Sequence, residues 1–551
     1  MSTQSKQCRN CSKNFSILDD DRKFYGKVNV PEPTICPICR QQRRLAFRNE
    51  INLYTKKCDF TGKDIISMYS PDKPYKIYDQ EVWWSDKWDP YMFGREFDFN
   101  KTFFEQFTDL QKYVPRMSLN CIGNENSYFS NYTFRNKDSY LIFTADFNEN
   151  CYYGRFSDKN FHCADFDFTF DSTACYEVMD MYGGNTCMFS QKCHGSSDLL
   201  FCYNMRNCHS CIFCANLRNK DHFIFNKQVS KEEFEKFKKE LDLGSYENLQ
   251  KALGKMHEFL NTQPRKYLEI VQCENSIGDY LESSKNARIC FDSYNLEDVA
   301  YVSHLYNAKD CYDWDFIANK SELCYEMVSC AHQLFNCKFC MNCWDGNNDI
   351  TYCDLCLGSK NCFGCVGLRK GKHCILNKQY SEEEYKNLVP KIIEYMKRTG
   401  EWGEFFPINT SPFYYNESVT FEYFPLTKEQ ALKKNYKWKD QDEKEFKKQT
   451  YKIPDSIKEI PDSILEEILA CEDCGKNFKI VKQELAFYKE TNISIPRKCF
   501  NCRHKRRMAL RNPRILFDRK CGKCGASIKT TYPNSNPAPV YCEKCYLEYV
   551  D

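Results

Sequence analysis

Residues 149–187, ENCYYGRFSDKNFHCADFDFTFDSTACYEVMDMYGGNTC, decide the fold, because Cys151, Cys163, Cys175 and Cys187 recur in them at intervals of twelve. Between the cysteines stand short aromatic and β-branched runs broken by Asn, Lys, Asp or Gly, the composition of short strands and tight turns. A fixed short period is the mark of a solenoid. Two such units make a coil of about 24 residues, which predicts a right-handed parallel β-helix-like solenoid. The alternative is an antiparallel sheet with about twelve residues per strand and turn.

The block occurs twice. Cys163-x-Asp165-Phe166-Asp167-Phe168 matches Cys311-x-Asp313-Trp314-Asp315-Phe316, and Cys175-Tyr176-Glu177 matches Cys324-Tyr325-Glu326. Each copy runs into Asn-Lys-Gln-x-Ser-x-Glu-Glu, at Asn226 and at Asn377. This predicts a helix with a capping box from Ser230 to Glu233 and another from Ser381 to Glu384. Phe234, Phe237 and Leu241 share one face of the first helix, and Tyr385, Leu388 and Ile392 one face of the second. Such helices cover the end or side of a solenoid.

The ends of the chain are also copies. Cys8-x2-Cys11 and Cys36-x2-Cys39 are separated by 24 residues, as are Cys471-x2-Cys474 and Cys499-x2-Cys502. From Cys8–Cys58 against Cys471–Cys521, at an offset of 463, 21 of 51 positions are identical. Two residues between thiolates form a tight knuckle, and two knuckles close a four-thiolate tetrahedral zinc site with no position left for a catalytic water. The C-terminal copy continues into Cys521-x2-Cys524 and Cys542-x2-Cys545. In the N-terminal copy Thr61, Asp79 and Val82 stand where three of those ligands would be, leaving Cys58 alone. Three structural zinc ions follow, with Trp83, Trp84 and Trp88 as an aromatic substitute for the fourth.

After each second knuckle a helix carries an arginine stripe: Arg40, Arg43, Arg44 and Arg48, and Arg503, Arg506, Arg507 and Arg511. Residues at i, i+3, i+4 and i+8 share a face. The stripe suits phosphate contacts with RNA, a ribosome or DNA; the competing reading is a solvated face, or pairing with the protein's own acids.

The whole chain has 551 residues, too many for one core. Lys+Arg 78 and Asp+Glu 76 nearly cancel, so net charge makes no case for a nucleic-acid or membrane partner. No apolar run approaches the ~18 residues of a membrane span. The opening MSTQSKQC has no apolar core of a signal peptide. A cytoplasmic, reduced setting is therefore expected, in which the 36 cysteines are thiols or metal ligands rather than disulfides. Of these, 23 lie between residues 118 and 400. They read mainly as small buried residues stacked in ladders. Further zinc or an iron–sulfur cluster is the alternative, carried by Cys208-x2-Cys211-x2-Cys214, Cys337-x2-Cys340-x2-Cys343, Cys353-x2-Cys356 and Cys362-x2-Cys365, with His209 and His373 in support.

Asp165/Asp167 and Asp313/Asp315 raise an enzymatic alternative, since carboxylates two apart on a strand share a face about 7 Å apart and could act on a carbohydrate-like substrate. The plainer reading alternates them with aromatics, so that the aromatics face in and the aspartates face water. There is no Gly-rich phosphate loop and no Gly-x-Ser-x-Gly elbow.

The pattern Cys-x2-Cys-x-Lys-x-Phe, Phe-Tyr, Pro-x2-Cys-x2-Cys-Arg-x2-Arg resembles the zinc-ribbon (treble-clef-like, four-cysteine) family, over Cys8–Asn49 and Cys471–Asn512. That resemblance implies Cys8, Cys11, Cys36, Cys39, Cys471, Cys474, Cys499 and Cys502 as ligands. Trp83-Trp84-Ser85-Asp86 and Tyr423-Phe424-Pro425-Leu426-Thr427 extend the likeness to large zinc-binding proteins of candidate-phylum bacteria, and bring no function with it.

The expected architecture is mainly β and multidomain, a duplicated solenoid flanked by zinc-finger modules with capping helices. Along the chain it reads as a finger (1–57), a degenerate second finger with connector (58–117), solenoid copy one (118–262) and copy two (263–400). An aromatic, charged connector (401–465) with a short helix near Lys428–Lys434, a finger (466–520) and a second zinc ribbon (521–551) complete it. The expected role is a non-enzymatic zinc-binding scaffold or binding protein. Its partners would be RNA, a ribosome or DNA through the arginine helices, or a protein partner or a second copy through the acidic middle, and no membrane. A cysteine-rich metal or redox protein is the other alternative.

Overall fold

Left-handed backbone at every third residue shapes the middle of the chain. His162, Asp165, Phe168, Asp171, Ala174, Glu177 and Asp180 all have φ between 49° and 55°. Asn, Asp and Gly tolerate this conformation best, which is why they crowd the turns. The computed structural model describes residues 4–316, 325–328, 338–339, 341, 346–440 and 446–550. The chain divides into two compact units, each built from two stretches: Met1–Leu119 with Leu268–Asp440, and Asn120–Tyr267 with Gln441–Asp551.

In the second unit, Cys121–Ile122, Asn131–Phe134, Phe143–Asp146, Tyr152–Asp158, Ala164–Phe170 and Tyr176–Tyr182 form a parallel six-stranded sheet. The register step is twelve: Tyr152 pairs with Ala164, and Ala164 with Tyr176. Isolated bridges keep the same step on the other segments, from Glu125↔Lys137 and Tyr128↔Tyr140 to Arg206↔Arg218. Neither the 24-residue coil nor the antiparallel sheet is what forms. Parallel pairing at a step of twelve, with a left-handed residue at every third position, is what the second unit shows. In the first unit the ladder runs through Ile277–Glu282, Arg288–Glu297 and Tyr306–Lys309, and again through Asn348–Thr351, Lys360–Phe363 and Lys372–Ile375.

Every third residue also points inward. Cys163, Phe166, Cys175, Val178, Met181 and Cys187 belong to one buried cluster. Their thiols are not idle: Cys163 donates towards Phe161 O (3.4 Å) and Ser172 O (3.6 Å), and Cys202 towards Leu200 O and Cys211 O (both 3.3 Å). Cys353 and Cys356 repeat the pattern, each reaching carbonyls two residues back and nine ahead. A small side chain with a weak donor fits this corner, which gives these described cysteines a packing role. Cys208, Cys211 and Cys214 likewise donate to carbonyls, while His209 bonds Ser197 and His373 bonds Asn361. Cys324, Cys337, Cys340 and Cys343 lie outside the described residues. Burial pushes the Cys163 and Cys193 thiols well above their ordinary value. Both should therefore stay unlabelled by a thiol reagent in the zinc-loaded native protein and label fully in urea, as read by peptide mass; rapid native labelling would contradict the inward placement.

Each ladder ends in an antiparallel strand, Lys227–Gln228 or Lys378–Gln379, and then in a helix, Lys231–Glu240 or Glu382–Thr399. Ser230 with Glu233 and Ser381 with Glu384 form the capping boxes. Phe234 and Ile392 are fully buried. The short connector helix spans Lys428–Lys433, capped by Thr427.

Candidate metal centres

Each knuckle pair is presented by a hairpin and a helix. In the first unit Gln4–Gln7 pairs with Asn14–Ile17 around Cys8 and Cys11, and Cys36 and Cys39 begin the helix Pro37–Leu45. In the second unit Leu469–Ala470 pairs with Asn477–Phe478, and Cys499 and Cys502 begin Phe500–Met508. Three groups bring four cysteine sulfurs within 4.8 Å of one another: Cys8, Cys11, Cys36, Cys39; Cys471, Cys474, Cys499, Cys502; and Cys521, Cys524, Cys542, Cys545. The Sγ–Sγ distances Cys11–Cys36, Cys474–Cys499 and Cys524–Cys542 are 3.8, 3.7 and 3.8 Å. A tetrahedron with ~2.3 Å zinc–sulfur bonds has edges of about 3.8 Å, so the donor sets fit zinc.

Backbone amides prepare the thiolates. Cys36 N donates to Cys8 Sγ (3.2 Å) and Cys542 N to Cys521 Sγ (3.3 Å). The Cys39 side chain, opposed by burial, holds Cys36 at about 5. Burial pushes Cys471 and Cys521 up, but surrounding backbone N–H groups outweigh it and bring them to about 7 and about 6. Deprotonated sulfur is the form that binds metal. At the degenerate site Cys58 keeps the same amide contacts, from Thr61 N (3.4 Å) and Asp79 N (3.3 Å), but belongs to no group of three or more metal-ligating side chains among the described residues. Trp83 is fully buried there, with Trp84 and Trp88 rings at 5.0 and 5.9 Å.

The arginine stripes are largely enclosed, Arg506 being the exposed member. Arg40, Arg44, Arg503 and Arg507 are at most 3% exposed, and so are Asp165, Asp167, Asp313 and Asp315. The finger helix of each unit lies on the ladder of that unit with the acids between them. Arg503 Nε reaches Asp165 Oδ1 (2.9 Å), Arg507 Nε reaches Asp167 Oδ2 (2.6 Å), and Arg507 Nη1 reaches Asp165 Oδ1 (3.0 Å). The first unit does the same with Arg40 Nε–Asp313 Oδ1 (2.8 Å), Arg44 Nε–Asp315 Oδ2 (2.7 Å) and Arg44 Nη1–Asp313 Oδ1 (3.2 Å). Arg506 pairs with Glu177 (2.6 Å) and Arg43 with Glu326 (2.8 Å). Arg511 lies 3.8 Å over the Phe168 ring and Arg48 lies 4.1 Å over Phe316. Gln41 Nε2 donates to Asp315 where His504 Nδ1 meets Asp167.

The expectation that these aspartates face water is thus corrected. It assumed strict two-residue alternation, whereas the chain turns every third residue: Phe166 goes inside, and Asp165 and Asp167 both lie under the finger helix. Glu177, Glu326 and Glu484 were missed as partners. Glu484 joins the second cluster through Arg503 (3.6 Å), Tyr153 OH (2.7 Å) and Tyr488 OH (2.8 Å). The signal available was the recurrence of Tyr-Glu after the cysteine and of an acid, Asp21 or Glu484, at aligned positions.

Burial pushes the Asp167 carboxyl up, but the His504 and Arg507 charges outweigh this and hold it at about 2. An unfolded aspartate titrates near ~3.9. The stabilisation is therefore complete above about pH 4 and is lost as pH falls through the folded value, an effect on the order of 2 kcal/mol. Unfolding followed against pH should show this loss in the wild type and much less of it in Asp167→Asn.

Among the described residues no helix is long and apolar enough to cross a membrane. No curated protein matches the chain. Residues 466–510, which carry Cys471, Cys474, Cys499 and Cys502 and the helix that seals the second unit's acids, match the family model of the probable treble clef domain.

Proposed function

We propose that this chain is a non-enzymatic, zinc-stapled scaffold. In this reading each ladder is a closed, right-handed solenoid of twelve-residue coils, and each zinc-held finger helix is a lid fastened over its acidic face. The observation that carries the reading is the pair of buried clusters, Arg503/Arg507 on Asp165/Asp167 and Arg40/Arg44 on Asp313/Asp315. Charges committed to each other and screened from water have little left for a phosphate backbone or a substrate. The same burial weighs against acid–base work on a carbohydrate-like substrate, which needs a carboxyl within reach of the reacting bond. The remaining partners are proteins, or a second copy of the chain.

Ultraviolet crosslinking to RNA, with peptide mapping, tests this. The expected outcome is no crosslink within residues 40–48 or 503–511 of the zinc-loaded protein. Crosslinks there, weakened by replacing Arg503, Arg506 and Arg507 with Ala, would overturn the reading in favour of an RNA-, ribosome- or DNA-binding finger.

A further inference from the structure

The second unit's ladder is finished at one end only. Its C-terminal end is closed by Lys227–Gln228 and the helix Lys231–Glu240. At the other end, residues 120–131 form the first turn, whose backbone pairs downstream. Thr133 N donates to Asn120 O (3.0 Å), Arg135 N to Ile122 O (2.9 Å), Asp138 N to Glu125 O (3.0 Å) and Leu141 N to Tyr128 O (3.2 Å). Asn126 and Phe129 stand twelve residues before Asp138 and Leu141, and their amides point the same way. Among the described residues neither amide meets an acceptor. Tyr128 is 64% exposed and Phe129 42%. Open edges are normally blunted with lysine, proline or a bulge. Here NCIGNENSYFSN carries one charged residue, Glu125.

We infer that this end docks the same end of a second copy of the chain, head to head about a twofold axis. The inference rests on the solenoid reading above. A single extended peptide would match one of the four short segments, whereas an end of the same outline matches all four. The C-terminal ends of both ladders are closed by an antiparallel strand and a helix, so they cannot supply that outline. Two identical edges related by a twofold run antiparallel, which lets outward N–H groups meet outward C=O groups. Tyr128 and Phe129 then bury their rings against the partner.

Sedimentation of the full-length, zinc-loaded protein over a concentration series should move from the 65.5 kDa chain towards twice that mass. Amides at residues 123–130 should exchange more slowly as concentration rises. The variant Tyr128→Lys with Phe129→Lys should keep its zinc and circular dichroism but lose at least about tenfold in self-affinity. A wild type that stays monomeric, a lysine variant that dimerises unchanged, or protection that appears elsewhere would each overturn the inference. None of these results touches the crosslinking outcome, so the two readings fail separately.

Discussion

Stripping zinc with excess strong chelator should detach both finger helices and open residues 4–50 and 466–550 to protease, while intact protein binds three zinc ions per chain. The magnitude follows from the coordination. Small four-cysteine modules have little core of their own, and structural zinc contributes about 10–16 kcal/mol of apparent free energy in finger peptides. Here the apolar cluster at the first site is small, made among the described residues of Ile35 and the ligands Cys8, Cys36 and Cys39, with Phe15 and Cys11 partly buried. Without metal the four sulfurs would repel or protonate, and the hairpin and helix would lose their common anchor. The helices then carry Arg40, Arg44, Arg503 and Arg507 away from their carboxylates, so the acidic faces of the ladders become solvated. Metal content by elemental analysis and cleavage mapping by mass spectrometry check both halves. Chelated protein with undiminished protease resistance at the fingers would mean that the helices are held by packing and ion pairs alone.

Arg507→Ala should destabilise the second unit by about 3–5 kcal/mol, because it leaves Asp165 and Asp167 buried with part of their countercharge gone. Arg507 touches both carboxylates and is 1% exposed. Lys505, on the same helix but exposed, supplies the control: Lys505→Ala should stay within about 0.5 kcal/mol. Adding Asp167→Asn to Arg507→Ala should recover part of the loss, since the stranded charge is removed, with a coupling of about 0.5–3 kcal/mol. Urea midpoints for the wild type, Arg507→Ala, Asp167→Asn, the double variant and Lys505→Ala measure this directly. An Arg507→Ala midpoint indistinguishable from that of Lys505→Ala would show that the cluster carries no net burial penalty. Arg44→Ala should behave alike in the first unit, where Asp313 and Asp315 are equally enclosed.

The metal centres were legible from the amino-acid sequence because their chemistry is local. Two residues between cysteines set the knuckle, and three groups of four sulfurs meet where the spacing places them. The missing ligands at Thr61, Asp79 and Val82, the capping boxes at Ser230 and Ser381, and the interval of twelve were equally local, since each depends on neighbours a few residues away. The meaning of the interval was not. Hydropathy suggested two-residue alternation, and only the left-handed residue at every third position turns twelve residues into a complete step of the ladder.

The fate of the charges belonged wholly to the tertiary structure. Arg503 and Asp165 are 338 residues apart, and Arg40 and Asp313 are 273 apart. Read singly, an arginine stripe prefers water or phosphate and an aspartate pair prefers solvent, because an isolated buried charge is costly. Only when folding lays one on the other can each cancel the other's desolvation, and no local pattern in either segment records that they will meet. Sequence alone therefore determined what the fingers hold; the fold decided what the fingers cover.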